Sequence, residues 1–263
     1  MATNTPAVLY RGNPQYGATN VVRTVTTAAL TSNLVTLTFG SNHGLTQVGT
    51  LINVQGVGAS YDGLYPVNSF PGLNTATYVV TTANIGSASV TPNGSAILNS
   101  GVTVGGAVSN NAIVNYTALV TTSAAHGLAI GDIVRVNTGT TGIDGTWVVT
   151  SVPSTTIFTF ISTTQTLAST AITQGAFAKA PDLYTVPAST TAVVTNIIVS
   201  NPSSSTALVS ATIDGIAVAK QLSVSGSSTA FIDLKQVVAT TKKLSVLTSI
   251  SQADVMISGM TVA

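Results

Sequence analysis

Apolar residues alternate one for one with hydroxyl, amide or glycine positions along most of this chain. Leu34-Val35-Thr36-Leu37-Thr38-Phe39 is typical. A period of two with Val, Ile and Thr enrichment predicts strands, and no stretch sustains a helical period over about ten residues. Only about Asp233 to Thr241 offers room for a helical turn. Residues 1–6 are polar and read as an arm; Ala7 to Gly12 reads as a short strand, followed by a Gly/Pro/Asn-rich break through Gly17.

The pattern then repeats itself. HGLTQVGTLINVQGVGASYDGLYPVNSFPGLNTATYVV, from His43 to Val80, recurs as HGLAIGDIVRVNTGTTGIDGTWVVTSVPSTTIFTF, from His126 to Phe160, with most positions 82 residues apart. Gly49 answers Gly131, Asp62 answers Asp144, Gly63 answers Gly145, Tyr65 answers Trp147 and Pro71 answers Pro153. His43-Gly44 and His126-Gly127 occupy the same place, so both histidines of the chain belong to a repeated unit. Each copy reads as a strand, a His-Gly turn, a strand, an Asp-Gly turn, a third strand, a proline turn and a fourth strand. In the second copy these are about Tyr116 to Thr122, Asp132 to Val136, Thr146 to Val152 and Thr156 to Ile161. Asp-Gly tolerates positive φ and suits a tight antiparallel connection. The first copy continues into a Gly/Ser/Asn-rich extension, Thr82 to Asn111, whose Ser95-Ala96-Ile97-Leu98 and Val102-Thr103-Val104 fit either hairpin strands or a surface loop.

After Pro181 the strands lengthen: Ala192 to Ser200, Ala207 to Ile213, Ile216 to Val224, Thr229 to Val237, Lys243 to Leu247 and Val255 to Val262. Asp214-Gly215 joins two of them as a two-residue hairpin. The expected fold is all-β: two small antiparallel β-barrel or sandwich repeats and a terminal β-sandwich. The expected divisions are 1–19 (arm and strand), 20–111 (first repeat with its extension), 112–180 (second repeat) and 181–263 (sandwich).

Composition narrows the function. Only 6% of residues are charged and none is Glu, against roughly a quarter in soluble domains. A net charge of +1, with no basic run beyond Lys242-Lys243, gives no field to hold a phosphate backbone or an anionic lipid surface, so neither nucleic acid nor membrane is an expected partner. Polar residues interrupt every apolar run short of the roughly 18 residues of a membrane helix. Met1 to Pro14 lacks the basic start and apolar core of a classical signal peptide. The absence of Cys excludes disulfides and zinc thiolates. So nearly neutral a surface favours self-association, which points to work inside an assembly and to a homo-oligomer.

The candidate chemistry is thin. His43 and His126 lack the further ligands zinc takes, and their recurrence at a turn suits a structural bond from imidazole to a carbonyl. Asp62, Asp132 and Asp144 show no calcium-loop spacing. Tyr61, Tyr65 and Trp147 are candidate platforms for a sugar ring, although Tyr65 and Trp147 lie among valines, where a core role is the stronger expectation. No nucleophile elbow, phosphate loop or dinucleotide fingerprint is present. Arg11, Arg23 and Arg135 stand alone and are expected to pair between domains or subunits. No catalytic residue, cofactor or metal is therefore expected.

The run HGL, then GDIVRV, then DGTWVVTSV, then FTF resembles a small β module repeated in tail and other virion proteins of tailed bacteriophages. The first copy departs from it at Thr50, where the second has Asp132, and at Leu64-Tyr65-Pro66. DLYTVPASTTAVVTNIIVSNPSSSTALVSATIDGIAVA resembles the β-sandwich with an LYTVPA strand found in minor tail and head-surface proteins. The resemblance implies a non-enzymatic virion protein whose partners are other virion proteins, with the sandwich docking on the particle and the repeats projecting. A minor tail protein is the leading expectation, a head decoration or cement protein the alternative, and a carbohydrate-binding adhesion module the competitor from another class. In the sandwich type an LYRG segment tends to precede the LYTVP strand directly. Here Leu9-Tyr10-Arg11-Gly12 and Leu183 are separated by both repeats, so the repeats are expected to be inserted into the sandwich, with Val8 to Tyr10 pairing with a strand beyond Leu183.

Overall fold

A computed structural model of the protein describes residues 4–14, 20–99, 104–250 and 252–262. The first three residues of the expected arm, the end of the Gly/Pro/Asn break and Val102-Thr103 lie outside them. The described chain is all-β, with antiparallel pairing. It forms two compact units. One gathers the strand β1 (Asn4–Gly12), residues 131–133 and the chain from Ala180; the other holds the rest of the two repeats.

In the repeat unit, the first curled sheet comprises β2 (Asn20–Thr31), β3 (Leu34–Phe39), β4 (Leu51–Gln55), β5 (Gly63–Pro66), β6 (Ser69–Gly72), β7 (Thr75–Val79) and β8 (Ile85–Asn99). Their order is β5-β4-β8-β2-β3-β7-β6. The second comprises β9 (Gly105–Val114), β10 (Thr117–Thr122), β11 (Ile133–Asn137), β12 (Gly145–Val148), β13 (Ser151–Ser154), β14 (Ile157–Ile161), β15 (Leu167–Ala171) and β16 (Ala176–Lys179). Its order is β12-β11-β16-β9-β10-β14-β13, with β15 also on β9. The orders coincide once β8 is set against β15 and β16 together. β8 crosses a register shift near Val25 and Thr27 as one strand, whereas the second copy opens into a loop between Ala171 and Ala176.

Equivalent positions fill the two cores. Val35 and Ala118, Leu37 and Val120, Val54 and Val136, Val67 and Val149, and Tyr78 and Phe160 are all buried. Each copy begins with a hairpin whose two turn residues have positive φ, Ser32-Asn33 in one and Asn115-Tyr116 in the other, matching the twist of paired strands. The two repeats touch backbone to backbone. Gly49 has φ +84°, and a Cβ there would collide with Gly106 N and Phe177 O of the second copy. Gly175 N also donates to Asn68 Oδ1 at 2.8 Å.

Two expectations are revised here. The extension 82–111 does not belong to the first copy alone: β8 pairs with β2 and β4, but β9 pairs with β10 and β16 and so opens the second copy. The third strand of each copy is two short strands. In the second copy Val149-Thr150 separates β12 from β13, and Pro153 lies within β13, an edge strand where its missing N–H costs no ladder bond.

The other unit is a sandwich of two four-stranded sheets. With β17 (Asp182–Thr185), β18 (Thr191–Asn201), β19 (Ala207–Ile213), β20 (Ile216–Val224), β21 (Ser228–Val238), β22 (Lys243–Thr248) and β23 (Asp254–Val262), the orders are β1-β23-β18-β21 and β17-β22-β19-β20. Val194, Ile197, Val199, Val209, Ile213, Val246 and Ile257 fill the space between them. Asp214-Gly215 makes the two-residue hairpin with φ +50° and +75°. The stretch near Asp233 that offered room for a helical turn is strand: β21 stays extended to Val238, with Ala230, Ile232 and Leu234 packed onto the sandwich core. β1 pairs with β23, Val8 against Ser258 and Arg11 against Met256, with a bulge at Leu9 that drops this side chain into the core. The polypeptide thus leaves the sandwich after its first strand and completes it only after both repeats.

Truncating Leu9 to Ala is predicted to cost about 2–4 kcal/mol, the price of a buried leucine truncation. Hydrogen exchange should quicken in β18 and β23 while β10 and β14 keep their protection; unchanged exchange in β23 would contradict this role for β1.

Candidate functional site

Each repeat gathers its distinctive side chains around two loops. The first loop holds the histidine. His43 Nδ1 accepts from Leu45 N–H at 2.9 Å and Nε2–H donates to Gly72 O at 3.0 Å. His126 does the same with Leu128 N–H at 2.9 Å and Ser154 O at 3.1 Å. A nitrogen that accepts an N–H carries no proton, so both rings are the neutral Nε2–H tautomer. Both are buried, at 4% exposure, and stand edge-on to Phe39 and Phe158 at centroid distances of 5.8 and 5.5 Å. Gly44 and Gly127, at φ +71° and +64°, turn the chain so that the N–H two residues after each histidine points back at its own ring. The imidazole joins this turn to the end of β6 in the first copy and of β13 in the second. With both nitrogens engaged by backbone, neither ring is placed to act as a base.

The second loop holds the aspartate. The expected tight Asp-Gly turn is corrected here: Asp62 and Asp144 close loops spanning 56–62 and 138–144. Asp62 accepts from Gly56, Val57 and Gly58 N–H at 3.0, 2.9 and 3.2 Å. Asp144 accepts from Thr138 N–H at 2.6 Å, Thr138 Oγ1–H at 2.8 Å and Gly139 N–H at 2.9 Å. The carboxylate serves as a counter-group for consecutive backbone donors, which a loop of this length would otherwise leave open. Burial pushes the Asp144 carboxyl above its usual range, against the pull of the donors on Thr138, Gly139 and Thr140. Gly63 and Gly145, at φ +147° and +148°, follow these aspartates. A Cβ there would press on the Tyr65 ring in one copy and the Trp147 ring in the other.

Those rings are core, which corrects the platform reading. Trp147 stacks on Phe160 at 4.8 Å and 9° and donates Nε1–H to Ile143 O at 2.7 Å. Tyr65 stacks on Tyr78 at 4.4 Å and 16°, and its hydroxyl donates to Asp62 O at 3.1 Å. Trp147 and Tyr61 are 5% and 8% exposed, so neither presents a face to a sugar, and one face of the half-buried Tyr65 is already taken. Burial raises the Tyr65 and Tyr78 phenols.

Arg135 donates to Asn137 Oδ1 at 3.2 Å and Thr146 Oγ1 at 3.5 Å. Exclusion of water lowers its guanidinium, while Tyr65 of the first copy and Asp144 of its own oppose that shift. Both of the Arg135 bonds fall on its own copy, and Arg23 likewise donates locally, to Asn42 O at 2.7 Å. Between the repeats lies a cleft of about 220 Å³ bordered by Ser32, Asn33, Val79, Thr138, Ile172 and Gln174, with no ionisable side chain on its wall. Among the described residues no three His, Asp or Glu side chains converge as a metal site would require, and no helix is long and apolar enough to cross a membrane.

Sequence reading overlooked Asn201. Its Nδ2 reaches the carbonyls of Ser205, Val224 and Ser225, and its Oδ1 accepts from Ser203, so one amide fastens a sandwich loop. The Asn-Pro-Ser triplet marks a turn but carries no sign of those distant carbonyls. Tyr78 and Phe160, the stacking partners, were overlooked too, although they fall at the same 82-residue offset.

No protein-family model and no curated protein matches the chain. Among solved structures it is similar to the phage phi92 endosialidase at 17% identity and a TM-score of 0.26, over 68% of this chain and 30% of that one. The chain thus spans less than a third of that protein. A structure of infectious bursal disease virus Gx strain is similar at 12% identity and a TM-score of 0.22, over 97% of this chain and 73% of that one. The major capsid protein P2 of bacteriophage PM2 is similar at 8% identity and 0.18, over 93% and 98%. No functional step rests on likenesses this distant.

Replacing His126 or His43 by Phe keeps the apolar ring and removes both bonds, orphaning a backbone donor and acceptor. Each variant is predicted to lose about 2–4 kcal/mol in denaturant unfolding followed by Trp147 fluorescence. A loss below about 0.5 kcal/mol at both positions would show the imidazole bonds to be idle.

Proposed function

We propose that the chain is a non-enzymatic structural protein of a tailed-phage virion, present in several copies as a surface module of the tail. One observation carries the reading: the repeated residues that could have formed a site are spent on holding their own loops. Both imidazole nitrogens, the carboxylates of Asp62 and Asp144, and the rings of Tyr65 and Trp147 each have a partner within their own copy. What recurs is a folding unit. The resemblance of HGL…GDIVRV…DGTWVV and of DLYTVPA to phage virion modules supplies the setting.

The mechanism is geometric. β modules bury their apolar faces, and open edges or loops join neighbours on the particle. A surface with so few charges packs against a neighbour at little desolvation cost. The sandwich supplies the docking contacts, and the protein resides in the virion.

Mixing purified chain with isolated tails and with empty capsids from the same phage tests the assignment. Co-sedimentation with tails alone is predicted. Co-sedimentation with capsids alone would make it a head decoration protein, and retention by neither would remove the virion reading.

A further inference from the structure

Where β8 crosses its register shift as a single strand, the second copy parts into β15 and β16 and leaves the loop 172–175 between them. This loop and the Ser32-Asn33 turn of the first copy border the cleft of about 220 Å³. The surrounding backbone is held at several points. Asn33 O accepts from Val80 N–H at 2.8 Å, Ser32 N–H donates to Asn84 Oδ1 at 2.8 Å, and Gly175 N–H donates to Asn68 Oδ1 at 2.8 Å. Thr138 Oγ1 donates to Asp144 Oδ1 at 2.8 Å and accepts from Asn111 Nδ2 at 3.3 Å. Four polar side chains on the wall are left over: those of Ser32, Asn33, Thr173 and Gln174 make no hydrogen bond among the described residues. Asn33 Nδ2 stands at the seam of the two copies, 3.6 Å from the place a Cβ on Gly139 would take. Val79 and Ile172 add apolar ground beside them.

We infer that this cleft binds one ring of a neutral sugar. The chemistry of its wall selects the class. A carboxamide presents a donor and an acceptor side by side, which matches two adjacent hydroxyl groups, and each copy offers one, Asn33 from the first and Gln174 from the second. The hydroxyls of Ser32 and Thr173 can both donate and accept, and Val79 and Ile172 suit the C–H face of a pyranose. An anion would meet no cation on this wall and a cation no carboxylate. An apolar ligand would strip water from four polar groups and give them nothing in return. The volume lies below the roughly 300–1,000 Å³ of drug-sized sites, so it limits the occupant to about one ring. The site is separate from Tyr61, Tyr65 and Trp147. It goes beyond the structural reading without depending on it, since the cleft belongs to the repeats wherever the chain is placed.

The test is a nuclear magnetic resonance titration of the ¹⁵N-labelled full chain with D-glucose, D-galactose and N-acetyl-D-glucosamine, and with glycerol as the control. At least one sugar is expected to shift the side-chain NH₂ signals of Asn33 and Gln174 and the backbone amides of Gly139 and Thr173, saturating at millimolar concentration, whereas glycerol does not. Asn33→Gly removes the amide and still accepts the φ of +64° that this turn position requires. Combined with Gln174→Ala, it is expected to weaken binding by about tenfold, the loss of two hydrogen-bonding groups. Neither side chain holds the fold, so the unfolding midpoint should stay at the wild-type value. Each single variant should show part of the loss, which keeps the comparison open if the pair is less stable. A response to all three sugars no different from that to glycerol, shifts confined to residues away from the cleft, or variants that bind as the wild type does would overturn the inference.

Discussion

Each curled sheet depends on one neutral imidazole that joins two loops. A turn of the His-Gly type leaves a backbone N–H directed inward, and the end of β6 or β13 leaves a carbonyl directed at the same point. Leaving either buried without a partner would cost as much as a large part of a small unit's stability. A carboxylate could accept but not donate, and an ammonium could donate but not accept. Neutral imidazole does both, which is why histidine stands there in both copies while the rest of the sequence nearly avoids titratable groups.

The same economy governs the rest of the molecule. With so few charges, loops are held by neutral or single-ended contacts: an aspartate under a row of N–H groups, an asparagine reaching three carbonyls, and an indole N–H donating to the loop beneath it. Two ion pairs of the sandwich, Lys242 with Asp214 and Lys243 with Asp182, are partly exposed. Exposed pairs of this kind contribute little to stability. Cohesion comes from ladders and from aliphatic and aromatic burial, and this leaves surfaces free to meet other proteins without stripping water from charge.

The strands were legible because alternation and β-branching act locally, so segments such as Leu34–Phe39 and Ala207–Ile213 could be placed from residue type alone. The repeat was legible because the same glycines, histidines and aspartates return at one spacing. Less legible was anything set by partners distant in sequence. Asp144-Gly145 looked like a hairpin, yet its aspartate serves donors six residues back. The extension to Asn111 looked like part of the first copy until β9 was seen to pair with β10 and β16. The aromatics were ambiguous on the same ground: Trp147 among valines suits a core or a platform, and only its stack on Phe160 decides between them.

An electron cryo-microscopy map of the intact virion tests the central claim most directly. The account predicts density for this chain at several symmetry-related positions on the outside of the particle, with both histidine loops closed and enclosing no ligand. A map that lacks the chain, or that shows a bound substrate against His43 or His126, would contradict it.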